Sequence, residues 1–228
     1  MNRRVLLLAS PLLLSTLSLT ACISTGDREV EITPATSLST QVGKFLNLEF
    51  PSGDVTVVPS TDGQLHASAR FFCNVDSKQC PKNADKASIV HEQNGERSVI
   101  LFKPALSYST RHANIVYRVE VPDVARLSID VDAGDFSINS PTACLSVSAG
   151  AGDLQIDVPL SDVRGVTLDA NLGDANLQTP EGYADDERTL LVGSEIVWDK
   201  GPGACDLDAK LQAGAINVRL NTPELPVR

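Results

Sequence analysis

The feature that most restricts what this chain can fold into is a unit that recurs along it: a strand of alternating apolar residues, a Gly-Asp pair, then a second, shorter alternating strand. Ser52-Gly53-Asp54-Val55-Thr56-Val57, Ala133-Gly134-Asp135-Phe136-Ser137-Ile138, Ala151-Gly152-Asp153-Leu154-Gln155-Ile156 and Leu172-Gly173-Asp174-Ala175-Asn176-Leu177 share this form, and Ala213-Gly214-Ala215-Ile216-Asn217-Val218 is a weaker copy. The residues ahead of each glycine align as well. Leu127, Ile129 and Val131 match Leu145, Val147 and Ala149, then Val166, Leu168 and Ala170, then Leu207, Ala209 and Leu211, with Leu46, Leu48 and Phe50 in the first unit. The glycines at 134, 152 and 173 are 18 and 21 residues apart, and the 41 residues from 173 to 214 leave room for a degenerate copy at Gly193 with Leu190, Val192 and Val197. The period is about 20 residues, the signature of a repeat architecture.

Alternation with period two buries one face of each strand, and an inserted Gly-Asp shifts the phase between the two arms of a unit. Such a shift is a bend, which glycine makes by adopting positive φ while the adjacent Asp bonds local amides. A unit this short cannot bury its own apolar face. Neighbouring units are therefore expected to stack at the ~4.8 Å strand spacing as a parallel β-solenoid with about 20 residues per turn. An antiparallel sandwich is the competing arrangement, because meanders also give short alternating strands. Alanines at 133, 149, 151, 170, 209 and 213 suit a narrow interior. Residues 60–122 are less regular, with strand-like stretches at 65–72, 97–103 and 113–121 and loops at 73–86 and 104–111, and read as an irregular β cap over one edge of the array.

The first residues carry a different message. Arg3 and Arg4 precede an apolar stretch from Val5 to Leu19 that is too short to span a bilayer and ends in small residues, the shape of a secretory signal over residues 1–21. Leu19-Thr20-Ala21-Cys22 resembles the bacterial lipobox. That resemblance implies cleavage before Cys22, a diacylglycerol thioether on its sulfur and a fatty acyl group such as palmitate on its new amino group, which together anchor stably where one chain would not. By resemblance to enterobacterial lipoprotein sorting, Ile23 rather than Asp after the cysteine implies the outer membrane, with the domain facing the periplasm or the cell exterior. Residues 22–43, rich in Ser and Thr, read as a flexible tether, 44–220 as one domain, and 221–228 as a C-terminal tail. Loss of Arg3 and Arg4 takes the net charge from −10 to −12, which argues against nucleic acid or an anionic lipid surface as partner.

Four cysteines remain beyond Cys22, an even number that suits disulfides in an oxidising compartment, and their spacing does not suit zinc. Cys73 and Cys80 are close in sequence and form a natural pair, which leaves Cys144 and Cys205. On the solenoid alignment these two sit three turns apart, roughly 14 Å, whereas bridged Cα atoms lie within about 7 Å. Either residues 179–203 loop back instead of forming a turn, or the two stay unpaired. The aspartates at 54, 135, 153 and 174 recur in phase, and the last three could stack as a carboxylate column for calcium, though corner capping in water accounts for each. No metal or cofactor is expected. His66, His91 and His112 fall in the irregular region, and Asp185-Asp186 in a polar loop, so a carbohydrate-acting β-helix enzyme is the alternative rather than the leading reading. Aromatic residues make up only 4% of the chain, which weighs against a sugar-stacking platform.

The opening Leu46-Asn47-Leu48-Glu49-Phe50-Pro51-Ser52-Gly53-Asp54, the strand Tyr117-Arg118-Val119-Glu120-Val121-Pro122 leading to Leu127-Ser128-Ile129, and the Gly-Asp units together resemble the bacterial "putative adhesin" domain, also called DUF4097 and related to head-GIN proteins, over residues 44–220. The resemblance implies a right-handed β-helix, exported or membrane-associated, without defined catalytic residues. The expectation is a non-enzymatic envelope lipoprotein that presents a rigid surface to a protein or glycan partner.

Overall fold

The computed structural model describes residues 29–74, 80, 86–103, 113–184, 187–189 and 192–222. The signal peptide, Cys22, His112, Asp185-Asp186 and residues 223–228 of the tail lie outside the described residues. In chain order the strands are β1 (Glu29–Thr40), β2 (Phe45–Phe50), β3 (Asp54–Pro59), β4 (Leu65–Asn74), β5 (Ser88–Asn94), β6 (Arg97–Lys103), β7 (Ala113–Val121) and β8 (Arg126–Ala133). They continue with β9 (Phe136–Asn139), β10 (Leu145–Pro159), β11 (Val163–Thr179), β12 (Gly182–Tyr183), β13 (Glu187–Thr189), β14 (Gly193–Trp198) and β15 (Cys205–Asn221).

Each recurrent unit has two arms hinged at its glycine: β2 with β3, β8 with β9, and β10, β11 and β15 as single strands that run through the corner. Equivalent arms pair in parallel and in register, so that Leu145 lies opposite Leu127 on one side and Leu207 on the other, and Leu207 opposite Val166. The phase shift is visible in burial. Along β10, Leu145, Val147 and Ala149 are buried before Gly152, and Leu154, Ile156 and Val158 after it. Both arms thus turn apolar rows toward one core, where burying each Leu, Ile or Val contributes about 1.5–3 kcal/mol.

The corners explain why glycine recurs. Gly152 has φ +128° and Gly214 +134°, and a Cβ on the first would stand 1.7 Å from the Gly134 carbonyl oxygen, a Cβ on the second 1.8 Å from that of Gly152. The position excludes a side chain twice, by conformation and by the neighbouring backbone. The glycines form one column in the order Gly53, Gly134, Gly152, Gly214, Gly173.

That order corrects the expected fold class. The fifth unit in sequence, β15, lies between the third and fourth, β10 and β11, whereas a solenoid adds its turns in chain order. The array is also flanked by antiparallel pairs: β7 with β4 and β4 with β1 beyond β3, β6 with β5 beyond β2, and β11 with β14 and β14 with β13 at the far end. The result is a mixed, nearly closed barrel, not a right-handed parallel β-solenoid. Units with the same apolar row and the same corner fix how arms pair but leave open which unit is next. The segment around Gly193, read as a degenerate turn, is the antiparallel strand β14.

The same insertion resolves the cysteines. With β15 beside β10, Cys144 and Cys205 are bridged at a Cα separation of 4.6 Å, and Cys73 and Cys80 at 5.8 Å. On its other side β15 is clamped to β11 by Arg164, whose guanidinium donates two hydrogen bonds to the Asp206 carboxylate. Those bonds hold the Asp206 carboxyl below its ordinary range.

The expected tether is also corrected in part. Glu29–Thr40 forms β1, antiparallel to β4, with a register shift between Ile32 and Thr36 in the stretch that contains Pro34, which has no N–H to donate. An edge strand needs only one covered face: Thr36, Leu38 and Thr40 are half-buried while Ser37 and Ser39 are exposed. Such a strand is polar enough to be mistaken for a linker. Beneath this flank Phe50, Phe102 and Tyr117 pack with ring centroids 4.6–5.4 Å apart, and burial pushes the Tyr117 hydroxyl pKa up.

Candidate recognition surface

Residues that alternate with the buried rows point outward, and the parallel register sets them in ranks. On the second arms one rank is Gln155, Asn217 and Asn176, and the next is Asp157, Arg219 and Gln178. The Asn176 amide donates to Asn217 Oδ1 at 3.2 Å. Asp157 accepts from the Asn221 amide at 3.2 Å, and Arg219 Nε lies 3.7 Å from the same carboxylate oxygen. Local pairing of this kind fixes the side chains while leaving further amide and carboxylate valences facing solvent. These ranks line a depression of about 330 Å³ bordered by Tyr183.

Tyr183 is presented by a hydrogen-bonded turn. Past Thr179 the chain reverses, pairing Thr179 with Gly182 and Gln178 with Tyr183. Thr179 Oγ1 accepts from the Glu181 N–H at 3.3 Å and donates to the Gly182 carbonyl at 3.0 Å, and the Ala184 N–H donates to the Leu177 carbonyl at 2.9 Å. The ring is 75% exposed. It stands between the amide ranks and a second depression of about 510 Å³, lined also by Glu181, Glu195, Val197, Trp198 and Asp199. Trp198, the chain's single tryptophan, packs against the core from β14, opposite Val166. The two depressions have Tyr183 in common, and together they make up the saddle.

The residues singled out in the sequence fall elsewhere. The corner residues Gly53, Gly134, Gly152, Gly173 and Gly214 are structural, forming the column described above. Asp135, Asp153 and Asp174 do not form one continuous column, because Ala215 stands between Asp153 and Asp174 in the spatial order. Among the described residues no group of three or more His, Cys, Asp or Glu converges as a metal site. His91 Nδ1 pairs with Thr40 Oγ1 at 3.2 Å. His66 lies 2.9 Å from Ser39 Oγ through Nδ1 and 2.8 Å from Asp62 through Nε2, an alignment of hydroxyl, imidazole and carboxylate.

Chemically, that alignment serves β1 better than it would serve catalysis. Ser39 and His66 are cross-strand partners on the open flank, and Asp62 is committed to the Gln64 N–H and the Ser60 hydroxyl as well. These donors hold the Asp62 carboxyl down to about 2. The side chains of His66 and Asp62 are 36% and 50% exposed, so water screens the pair, and neither residue lines the depressions beside Tyr183.

Sequence reasoning passed over the saddle itself. One signal was present: the outward position of the motif holds Thr56, Ser137, Gln155, Asn217 and Asn176 in spatial order, small hydroxyls giving way to amides. Tyr183 and Trp198 carry no motif.

No family model matches the chain, and no curated protein matches it. Among solved structures the chain is similar to a "putative cell adhesion protein" from Clostridium sporogenes, with 13% identity and a TM-score of 0.49 over 82% of this chain and 100% of that one. It is also similar to a "putative adhesin" from Bacteroides fragilis, with 9% identity and a TM-score of 0.30 over 82% of this chain and 98% of that one.

Proposed function

We propose that the chain is a non-enzymatic, lipid-anchored binding module of the bacterial envelope, of the DUF4097 kind, held by an acylated Cys22 and displaying the saddle around Tyr183. The lipobox supports the anchor. The observation that carries the binding role is the pair of outward ranks, Gln155–Asn217–Asn176 and Asp157–Arg219–Gln178, which a rigid, in-register sheet holds in fixed geometry beside an exposed aromatic ring. Preorganised side chains bind without a large ordering cost, which is what a display protein requires. The Cys144–Cys205 bridge and the Arg164–Asp206 clamp hold β15, the middle strand of both ranks, in place.

The test separates anchor from face. In cells, Cys22→Ser is expected to move the protein from membrane to soluble fractions with its melting temperature unchanged. The triple variant Gln155→Ala, Asn176→Ala, Asn217→Ala is expected to stay membrane-bound and folded but to lose its crosslinks to neighbouring envelope components. Retention of Cys22→Ser in the membrane, or wild-type crosslinking by the triple variant, would overturn the corresponding half of the proposal.

A further inference from the structure

We infer that the saddle binds a neutral, hydroxyl-rich glycan chain; this rests on the binding-module reading and names its ligand class. Four observations converge. First, the ranks beside Tyr183 consist of four amides, the Asp157 carboxylate and the Arg219 guanidinium beside it. A planar amide offers a donor and an acceptor side by side, and a carboxylate two acceptors, which matches pairs of adjacent sugar hydroxyls, each of which both donates and accepts. The in-register spacing of ~4.8 Å between strands repeats that pairing laterally.

Second, the tyrosine that borders these groups is largely exposed. Tyr183 is 75% exposed and Val197 71%, although the chain holds few aromatics and the other described tyrosine, Tyr117, is buried. An aromatic face gains from covering the C–H faces of a sugar, while the Tyr hydroxyl keeps its contact with water. Composition alone argued against a stacking platform. Placement reverses that argument, because Tyr183 and Trp198 border the same depression.

Third, the shape favours a chain over a small molecule. Depressions of about 330 and 510 Å³ meet at Tyr183, so a ligand covering the ring has room on both sides. Fourth, charge selects the ligand. Asp157, Glu181, Glu195 and Asp199 outnumber the cations Arg219 and Lys200 on the saddle, and the net charge of the chain is −10, a balance that disfavours polyanions. A protein partner would instead be expected to meet an apolar centre ringed by polar groups, whereas the depression over the ranks is lined mainly by amide and charged side chains.

Trp198, as the single tryptophan, is a built-in reporter at the site. The full chain, purified in detergent, is titrated with chitohexaose, cellohexaose and maltohexaose, and with polygalacturonate as the anionic comparator, while tryptophan emission is followed. At least one neutral oligomer is expected to change the emission saturably and polygalacturonate is not. Tyr183→Ala is expected to weaken that binding tenfold or more, and Gln155→Ala with Asn217→Ala by a similar factor, with far-ultraviolet dichroism and melting temperature unchanged. Asp208→Asn, on the outer face of the other arm of β15, is expected to bind as wild type. The inference is overturned if none of the neutral oligomers moves the emission, if polygalacturonate binds as well as they do, or if Tyr183→Ala binds within twofold of wild type. Failure here, with crosslinks to envelope proteins still lost in the triple face variant, would remove the glycan while leaving the binding module; loss of neither would remove both.

Discussion

The corner glycines of the parallel array and the turn glycines of its antiparallel flank carry positive φ alike, but their surroundings differ. Gly95, in the turn between β5 and β6, and Gly63, between β3 and β4, have φ +61° and +75° with nothing within 4 Å of an added Cβ. Gly152 meets a neighbouring carbonyl oxygen at 1.7 Å. In the flank, glycine answers to its own backbone alone. In the array it answers to the next strand too, so the motif marks where backbones stack and not merely where the chain turns.

The sharpest way to break the comparison is to give each kind of glycine a methyl group. Gly152→Ala is expected to cost more than about 4 kcal/mol, the range of changes that unfold a domain, because backbone cannot give way as a flexible side chain would. Gly95→Ala is expected to cost roughly 1–2 kcal/mol, the ordinary penalty for an L-residue in left-handed backbone. Urea unfolding of both variants measures the gap, and equal losses would remove the distinction. The disulfides extend the comparison. Cys144–Cys205 closes 61 residues inside the array and Cys73–Cys80 closes 7 in the flank. Loop entropy then assigns roughly 4 kcal/mol to the first and roughly 2 kcal/mol to the second. Paired Cys→Ser variants under the same urea titration should rank in that order.

The smallest effect belongs to an exposed carboxyl of the flank. The folded-state pKa of Asp62 lies at about 2, below its ordinary 3.8, so its contribution is present above about pH 4 and lost as pH falls through about pH 2. Asp62→Ala should melt slightly below wild type at neutral pH and together with it near pH 2. A difference that persists in acid would assign the effect to packing instead of charge.

The alternation, the phase shift and the corners were legible in the sequence because each is local: Leu145, Val147 and Ala149 against Leu154, Ile156 and Val158 can be read without knowing any partner. Strand order was not, because Gly214 fits equally against Gly152 and Gly173 and the motif carries no label for its neighbour. The cysteines held that label. The excessive distance between Cys144 and Cys205 on a regular stack pointed to a strand out of sequence, and β15 is that strand. β1 was illegible because the partner that makes it a strand, β4, lies beyond Gly43 in another part of the chain. Of the saddle, the outward amides were within reach of motif alignment. Tyr183 was not, since its exposure follows from a short turn that only the folded pairing with Gln178 defines.

The place of β15 has a consequence for how the molecule comes into being. Chains emerge from synthesis N-terminal end first, so β10 and β11 exist before the strand that joins them. Until residues 205–221 arrive, each of the two bares a full-length row of backbone donors and acceptors toward a gap one strand wide. An unfilled slot of that kind invites any extended segment of fitting alternation, including the same segment of a sister molecule. Completion of the barrel is therefore a timed event, and the bond between Cys144 and Cys205 records that a chain has closed on itself.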